Sequence, residues 1–251
     1  MTRPVLKFTV LAITVYLIAL IALFPASLAV RWFAPAMPGL TLGPADGTIW
    51  QGRMTGMTYA GWNPGTLEWT LEPLSLLTLA AAADVRIVRP DAAPLSANLR
   101  MTPGGDLRIS GLQGVLTLAA LEKMRVVPRN IASGDVILNL EYLEIVNGLP
   151  VTATGRIGLT GLQSTFLPGI ALGSYEAELE PVENGIRANF RDVEAPLRIA
   201  GEARLQSDGR YTVTGSVTPT GETPENLRRG LAVLGSPNAS GSYDFSFSGE
   251  L

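Results

Sequence analysis

The chain has 251 residues and a formal charge of -3, is 47% apolar and 16% charged, and contains neither cysteine nor histidine. Those two zeros exclude disulfides, thiol catalysis, zinc sites built on Cys or His, and any triad with an imidazole base. The apolar share is too high for a disordered protein, and the length suits one or two domains.

The first element is a membrane signal. No residue from Phe8 to Val30 is charged, and a helix of that length, at about 1.5 Å per residue, covers the roughly 30 Å of a bilayer core. Arg3 and Lys7 precede the run, and Arg31 and Trp32 follow it. Residues 1–7 read as a cytoplasmic stub, 8–30 as a transmembrane anchor, 31–45 as a Pro-rich spacer and 46–251 as one periplasmic β domain. A cleaved signal peptide is the rival, because Ser27, Leu28 and Ala29 offer small residues at cleavage spacing. The uncharged run is longer than the about 7–15 residues of a signal-peptide core, which favours an anchor. Beyond it the chain stays acidic, and Lys123 is its only lysine. Without a basic stripe, nucleic-acid binding is not expected.

After the spacer, Gly and Pro punctuate segments of period two. Leu95, Ala97, Leu99 and Met101 alternate with polar residues, as do Leu197, Ile199, Ala203 and Leu205, with Gly201 filling one inward slot. Tyr211, Val213 and Val217 follow the same pattern, then Tyr243, Phe245 and Phe247. Such rows mark strands with one buried face. Asn147-Gly148, Asn184-Gly185 and Asp208-Gly209 signal antiparallel hairpins. The fold expected is mainly β: an elongated, twisted antiparallel sheet after the transmembrane helix, with one or two short helices. Glu222 to Gly235 reads as an amphipathic helix, with Thr223 as N-cap, Pro224 at the first position, Gly235 as stop, and Leu227, Leu231 and Leu234 on one face. Leu116 to Met124 reads as another short helix. The run Gly105 to Gln113 is echoed by Gly155 to Gln163, which suggests a strand leading into the same kind of turn twice.

Nothing in the sequence assembles a reaction centre. Glu176, Glu178 and Glu180 share one face of a strand; folding back through Pro181 to Gly185 would set Glu178 opposite Arg187, Glu176 opposite Asn189 and Tyr175 opposite Phe190. That is a solvated face with cross-strand pairing, each pair contributing roughly 0.2–1 kcal/mol. No Asp-rich loop suits a cation, the glycines from Gly155 to Gly161 lie in a strand pattern rather than a phosphate loop, and Asn238-Ala239-Ser240 fits a glycosylation triplet that arises by chance. No catalytic, cofactor or metal residue is assigned. What stands out is contact chemistry: Trp50, within Gly47 to Gly52, and Trp69, beside Glu68, are the candidate partner-binding residues, although core packing is the more common use of such a Trp. Open strand edges would offer a second means of contact, by strand addition.

At this point the chain resembles the type II secretion system protein N family, also called general secretion pathway protein N. The resemblance rests on the anchor, Gly47-Thr48-Ile49-Trp50-Gln51-Gly52, Leu67-Glu68-Trp69, Pro73 to Thr78, Asp208-Gly209-Arg210-Tyr211, Leu227 to Gly235, and Gly241 to Leu251. It implies a non-enzymatic, single-pass protein of the bacterial inner membrane, with its bulk in the periplasm. It further implies contacts with the inner-membrane clamp component C and the outer-membrane secretin component D, and no catalytic residues. A different class stays beside it: an anchored β-sheet whose apolar face binds or transfers lipid, of the AsmA-like kind.

Overall fold

In the computed structural model the described residues are 3–33, 39–90, 92–124, 126–127, 130, 132–165 and 169–251. The chain begins with helix α1 (Arg3–Ala22) and, after a break around Pro25, continues as α2 (Ala26–Phe33). The uncharged run from Phe8 to Val30 is therefore divided between two helices. Among the described residues, no helix is long and apolar enough to cross a membrane. Of the expected spacer, residues 34–38 lie outside the described residues.

The strands follow as β1 (Leu40–Thr41), β2 (Ala45–Gly47), β3 (Gln51–Met54), β4 (Thr58–Tyr59) and β5 (Thr66–Leu71). Then come β6 (Ala81–Arg89), β7 (Ala92–Met101), β8 (Leu107–Thr117), β9 (Ala132–Val146) and β10 (Leu149–Ser164). The last are β11 (Ala171–Val182), β12 (Gly185–Glu194), β13 (Leu197–Gln206), β14 (Arg210–Pro219) and β15 (Tyr243–Glu250). Strands β1 and β4 make a small sheet of their own; the other thirteen form one meander, β15 through β5 in sequence order, then β3 and β2. The pairings within it are antiparallel. The expected mainly-β architecture is present.

Register explains why the sheet has two chemically distinct faces. Met54, Leu67, Ile87 and Leu95 are successive partners across β3, β5, β6 and β7. At the other end Ala188, Ala203, Val213 and Phe247 are successive partners across β12 to β15. Because side chains alternate along every strand, these partnerships align all the apolar rows on one side. The polar side carries the ladder Arg53, Glu68, Arg86 and Ser96, and further along Arg156, Glu178, Asn189 and Glu202. The accessible surface of 15861 Å² far exceeds the ~10,700 Å² expected of a compact chain of this mass. A single sheet without a full second layer, and a helix standing off it, account for the excess.

Short elements cover parts of the apolar side. Helix α3 (Leu118–Lys123) begins where Thr117 Oγ1 accepts from the Ala120 N–H at 3.2 Å, within the segment expected to be helical. Helix α4 (Glu225–Gly230) and the following 3-10 turn (Leu231–Leu234) set Leu227, Leu231 and Leu234 against Leu197, Ile199, Val217, Tyr243 and Phe245. The expected apolar stripe is thus the packing face, and Gly235 (φ 108) ends the segment. Thr223, expected as N-cap, has another task. Pro224 occupies the cap, while the buried Thr223 hydroxyl donates to the Pro196 carbonyl and accepts from the Thr220 N–H, tying the helix start to the β12–β13 turn.

Two expectations about strands need correction. The β11–β12 hairpin turns at Glu183 and Asn184, so Pro181 and Val182 remain in the strand. The register moves by two: Glu178 faces Asn189, Glu180 faces Arg187, Glu176 faces Arg191, and Tyr175 faces Asp192. Pro181 is tolerated because β10 pairs β11 only as far as Leu179, leaving no ladder partner to its other side. The echoed segments prove to be bulges rather than turns. Gly111 (φ 60) and Gly161 (φ 61) lie in β8 and β10, on either side of β9, and each stands at an irregularity in register. Both need the left-handed backbone that glycine adopts at no steric cost.

Candidate interaction surface

The two ends of the sheet differ. At the β2 end, the tight turn from Gly47 to Gly52 is bound to the helices. The Trp50 Nε1–H donates to the Ile21 carbonyl at 2.9 Å, the Ile49 N–H donates to the Phe24 carbonyl at 3.0 Å, and Pro25 makes a bridge to Thr48. Trp69, one strand further in, donates its Nε1–H to the Ile49 carbonyl at 3.1 Å. A Cβ on Gly52 would sit 2.5 Å from the Trp69 ring, so only glycine lets the indole lie there. Trp50 and Trp69 are thereby brought together through Ile49, both half-buried with their N–H groups satisfied inside the chain. Sequence reading singled out both rings but not the Ile21 and Phe24 carbonyls that hold this corner, because backbone acceptors leave no residue-type signature.

At the far end β15 pairs with β14 alone. The Leu251 N–H donates to the Gly209 carbonyl at 3.0 Å. In an antiparallel ladder, amides alternate sides. The odd-numbered amides of β15 therefore turn inward, and those of Asp244, Ser246, Ser248 and Glu250 turn outward. The exposed strand is one of mixed character, with Phe247 accessible on the apolar side and Asp244 and Glu250 on the polar side. It is an edge ready for strand addition, with only its own charges to blunt it.

Between the ends, the apolar side is lined by rings lying over glycines. Phe190 and Phe245 stack with centroids 6.3 Å apart across the two intervening strands, which carry Gly201 and Gly215 at that level. Phe245 also meets Phe247 at 5.7 Å. Tyr175 and its cross-strand partner Asp192 put polar groups on this side. The Tyr175 hydroxyl donates to the Leu172 carbonyl at 2.6 Å, and burial, reinforced by the Asp192 carboxylate, pushes its pKa up to about 12.

The polar side pairs its charges with one another. Arg187 meets Glu180 at 2.9 Å, Arg108 meets Glu144 at 2.8 Å, Arg156 meets Glu178 at 3.4 Å, and Arg191 meets Glu176. The hydrogen bond from Arg210 holds the Asp208 carboxyl below its ordinary range at the β13–β14 turn. A cavity of about 290 Å³ between Arg156, Glu176, Glu178, Asn189 and Arg191 is bounded by these pairs and holds no isolated acid or base. Among the described residues, no three His, Cys, Asp or Glu side chains gather to hold a metal.

Comparison with known proteins decides the family. Residues 38–246 match the family described as type II secretion system (T2SS), protein N. The chain belongs to this family. It is 25% identical over 244 residues to the type II secretion system protein N of Pectobacterium carotovorum subsp. carotovorum, covering 94% of this chain and 96% of that protein. It is equally similar, at 25% over 248 residues, to the proteins of that name from Aeromonas hydrophila (96% of each chain) and Vibrio cholerae (95% of each). No solved structure matches the chain. The family match takes in the Gly47–Gly52 turn and Trp69, and ends at residue 246, halfway along the open edge strand.

Proposed function

We propose that this chain is a non-enzymatic inner-membrane component of the type II secretion machinery, aiding assembly or positioning of the complex that exports folded proteins across the outer membrane. The observation that carries the proposal is family membership over residues 38–246 of a sheet with one capped end and one open edge. Phe8 to Val30 anchors it, with residues 1–7 cytoplasmic and the sheet periplasmic. Support for the anchor comes from the absence of charge in that run and from the exposure of Phe8, Leu11, Ile13, Val15, Tyr16, Leu17, Leu20 and Ile21 around α1. Surface of that kind is stable against lipid, not against water.

Contact with partners runs through the β15 edge, which supplies backbone hydrogen bonds to an added strand. A second contact lies at the membrane-side corner of Trp50 and Trp69, whose half-buried rings suit a protein interface. Clamp component C and secretin component D are the partners expected. The test is cross-linking of the full-length protein in its own membranes, with a photoreactive residue at Phe247 and, separately, at Trp50. Recovery of the secretin or clamp component from position 247 supports the mechanism. Cross-links to lipid-envelope proteins alone would remove the secretion role.

One observation favours a second reading, that of a lipid carrier: apolar rows lie on one side at both ends of the sheet, with only partial cover. Native mass spectrometry of the detergent-released protein separates the two readings. Bound phospholipid in stoichiometric amount supports a carrier, and a clean apo mass leaves the assembly role alone.

A further inference from the structure

The connection between β5 and β6 is apolar out of proportion to its exposure. From Pro73 to Ala83 there is no charged residue. Its 3-10 turn (Pro73–Thr78) is pinned from within: the buried Ser75 hydroxyl donates to the Glu72 carbonyl at 2.6 Å and accepts from the Ala82 N–H at 3.1 Å. So pinned, the turn directs Leu74 and Leu79 into solvent, 76% and 77% exposed, with Leu76 also exposed. Met101 joins them, since it pairs with Ala81 at the same rim and is 50% exposed. A hydrogen-bonded turn presenting three leucines to water, with Met101 of β7 beside it, is a docking surface rather than a fraying loop.

Its location identifies the occupant. The Leu71 N–H, two residues before the turn, donates to the Trp50 carbonyl at 2.6 Å, and the Trp50 indole donates to Ile21 at the end of α1. The leucine turn is thus fastened, through one residue, to the place where the apolar helix stops. Leu23, just past that helix end, is also exposed. Arg100, next to Met101, is in no ion pair among the described residues and supplies a cation where phosphate headgroups would lie. We propose that Leu74, Leu76, Leu79 and Met101 insert into the outer leaflet of the bilayer that holds α1, so that the sheet is seated on the membrane at its β5–β6 rim rather than hanging from a free tether. Trp50 then sits at the boundary, where indoles are favoured.

The proposal rests on the anchor reading, with the crossing ending at the α1–α2 break rather than at Val30, and the experiment separates the two. The chain has no cysteine, so single replacements Leu17→Cys, Leu74→Cys, Leu79→Cys and Val193→Cys each take one environment-sensitive fluorophore in the full-length protein. Val193 is apolar and 61% exposed but lies at the opposite rim, which controls for a label that simply prefers lipid. The proteins are reconstituted in vesicles of phosphatidylethanolamine and phosphatidylglycerol carrying shallow or deep doxyl quenchers, and separately exposed to aqueous iodide. The expected result is at least twofold stronger quenching by shallow than by deep doxyl at 74 and 79, the reverse order at 17, and iodide quenching alone at 193. Labels at 74 and 79 that behave like 193, while 17 is quenched deeply, would overturn the seating and spare the anchor. A label at 17 open to iodide overturns both. Shielding of 74 and 79 from iodide and doxyl alike would mean that protein covers the turn, and would overturn the membrane contact.

Discussion

Tyr175 is neutral, half-buried and hydrogen-bonded on the apolar side, and its titration is a direct readout of that environment. A tyrosine in the unfolded chain ionises near pH ~10, whereas the folded value is pushed up to about 12 by burial and by Asp192. The folded value is the higher one. Its contribution to stability is therefore complete below pH ~10 and is lost as pH rises from there toward the folded value. Tyr175→Phe should cost about 0.5–1.5 kcal/mol at pH 7 through the missing hydrogen bond. Denaturant titrations of wild type and variant should then converge as pH is raised to ~11, and curves that stay equally separated contradict the account. Gly201 is a second residue whose surroundings set a number. A Cβ there would meet Phe190 Cζ at 2.4 Å and the Thr214 carbonyl oxygen at 2.3 Å. Gly201→Ala should destabilise by about 1–3 kcal/mol through overpacking. Gly221→Ala, where a Cβ meets nothing within 4 Å, should change stability by less than ~0.5 kcal/mol.

The α4 segment shows how far an element can be read from its residues. Its stripe of Leu227, Leu231 and Leu234 was legible because helical spacing puts all three on one side, and the same three leucines meet the sheet. Leu231 is buried at the centre of that contact. Leu231→Ala should cost about 2–5 kcal/mol, measured as loss of unfolding free energy, while the exposed neighbour Val233→Ala should cost less than ~0.5 kcal/mol. The N-cap was not legible, because Thr223 and Pro224 both suit helix starts and only the long-range Pro196 carbonyl decides between them. The β11–β12 register failed for a similar reason. A proline signals the start of a turn, yet Pro181 lies past the last pairing residue of β11 with β10, where its missing N–H costs nothing. Trp50 and Trp69 stand out by residue type, whereas their link to the helix end spans up to 29 positions in sequence through backbone oxygens. Period and residue type are local. Edge status, register and backbone acceptors are settled by distant strands.

At the scale of the whole molecule, the asymmetry of the sheet makes the sharpest demand. An open antiparallel sheet has two edges, and an uncovered one pairs with whatever strand it meets. Here the β2 edge is short and lies against the α1–α2 break, so growth of the sheet is left to β15. The outward amide of Ser246 can be removed, and a charge set beside that of Ser248, without touching the β14 ladder, whose bonds are made by the odd-numbered residues. Ser246→Pro deletes one outward donor, and Ser248→Lys places a charge beside the next, the two devices that natural edges use against pairing. The doubly substituted chain should keep its fold, with a midpoint of unfolding within a few degrees of wild type (about 1 kcal/mol or less at an exposed edge). Its partner contact at position 247 should fall about tenfold or more, since each lost backbone bond is worth about 0.5–1.5 kcal/mol and an unpaired partner group adds to the loss. The same two changes made on an inner strand would unfold the sheet, so a stable protein that loses its cross-link isolates the edge itself. Undiminished cross-linking by a stable double variant would instead move the partner to the apolar side, where substitution of Phe247 and Met101 by Ser is the decisive comparison, because both side chains are exposed there and their replacement removes no backbone N–H.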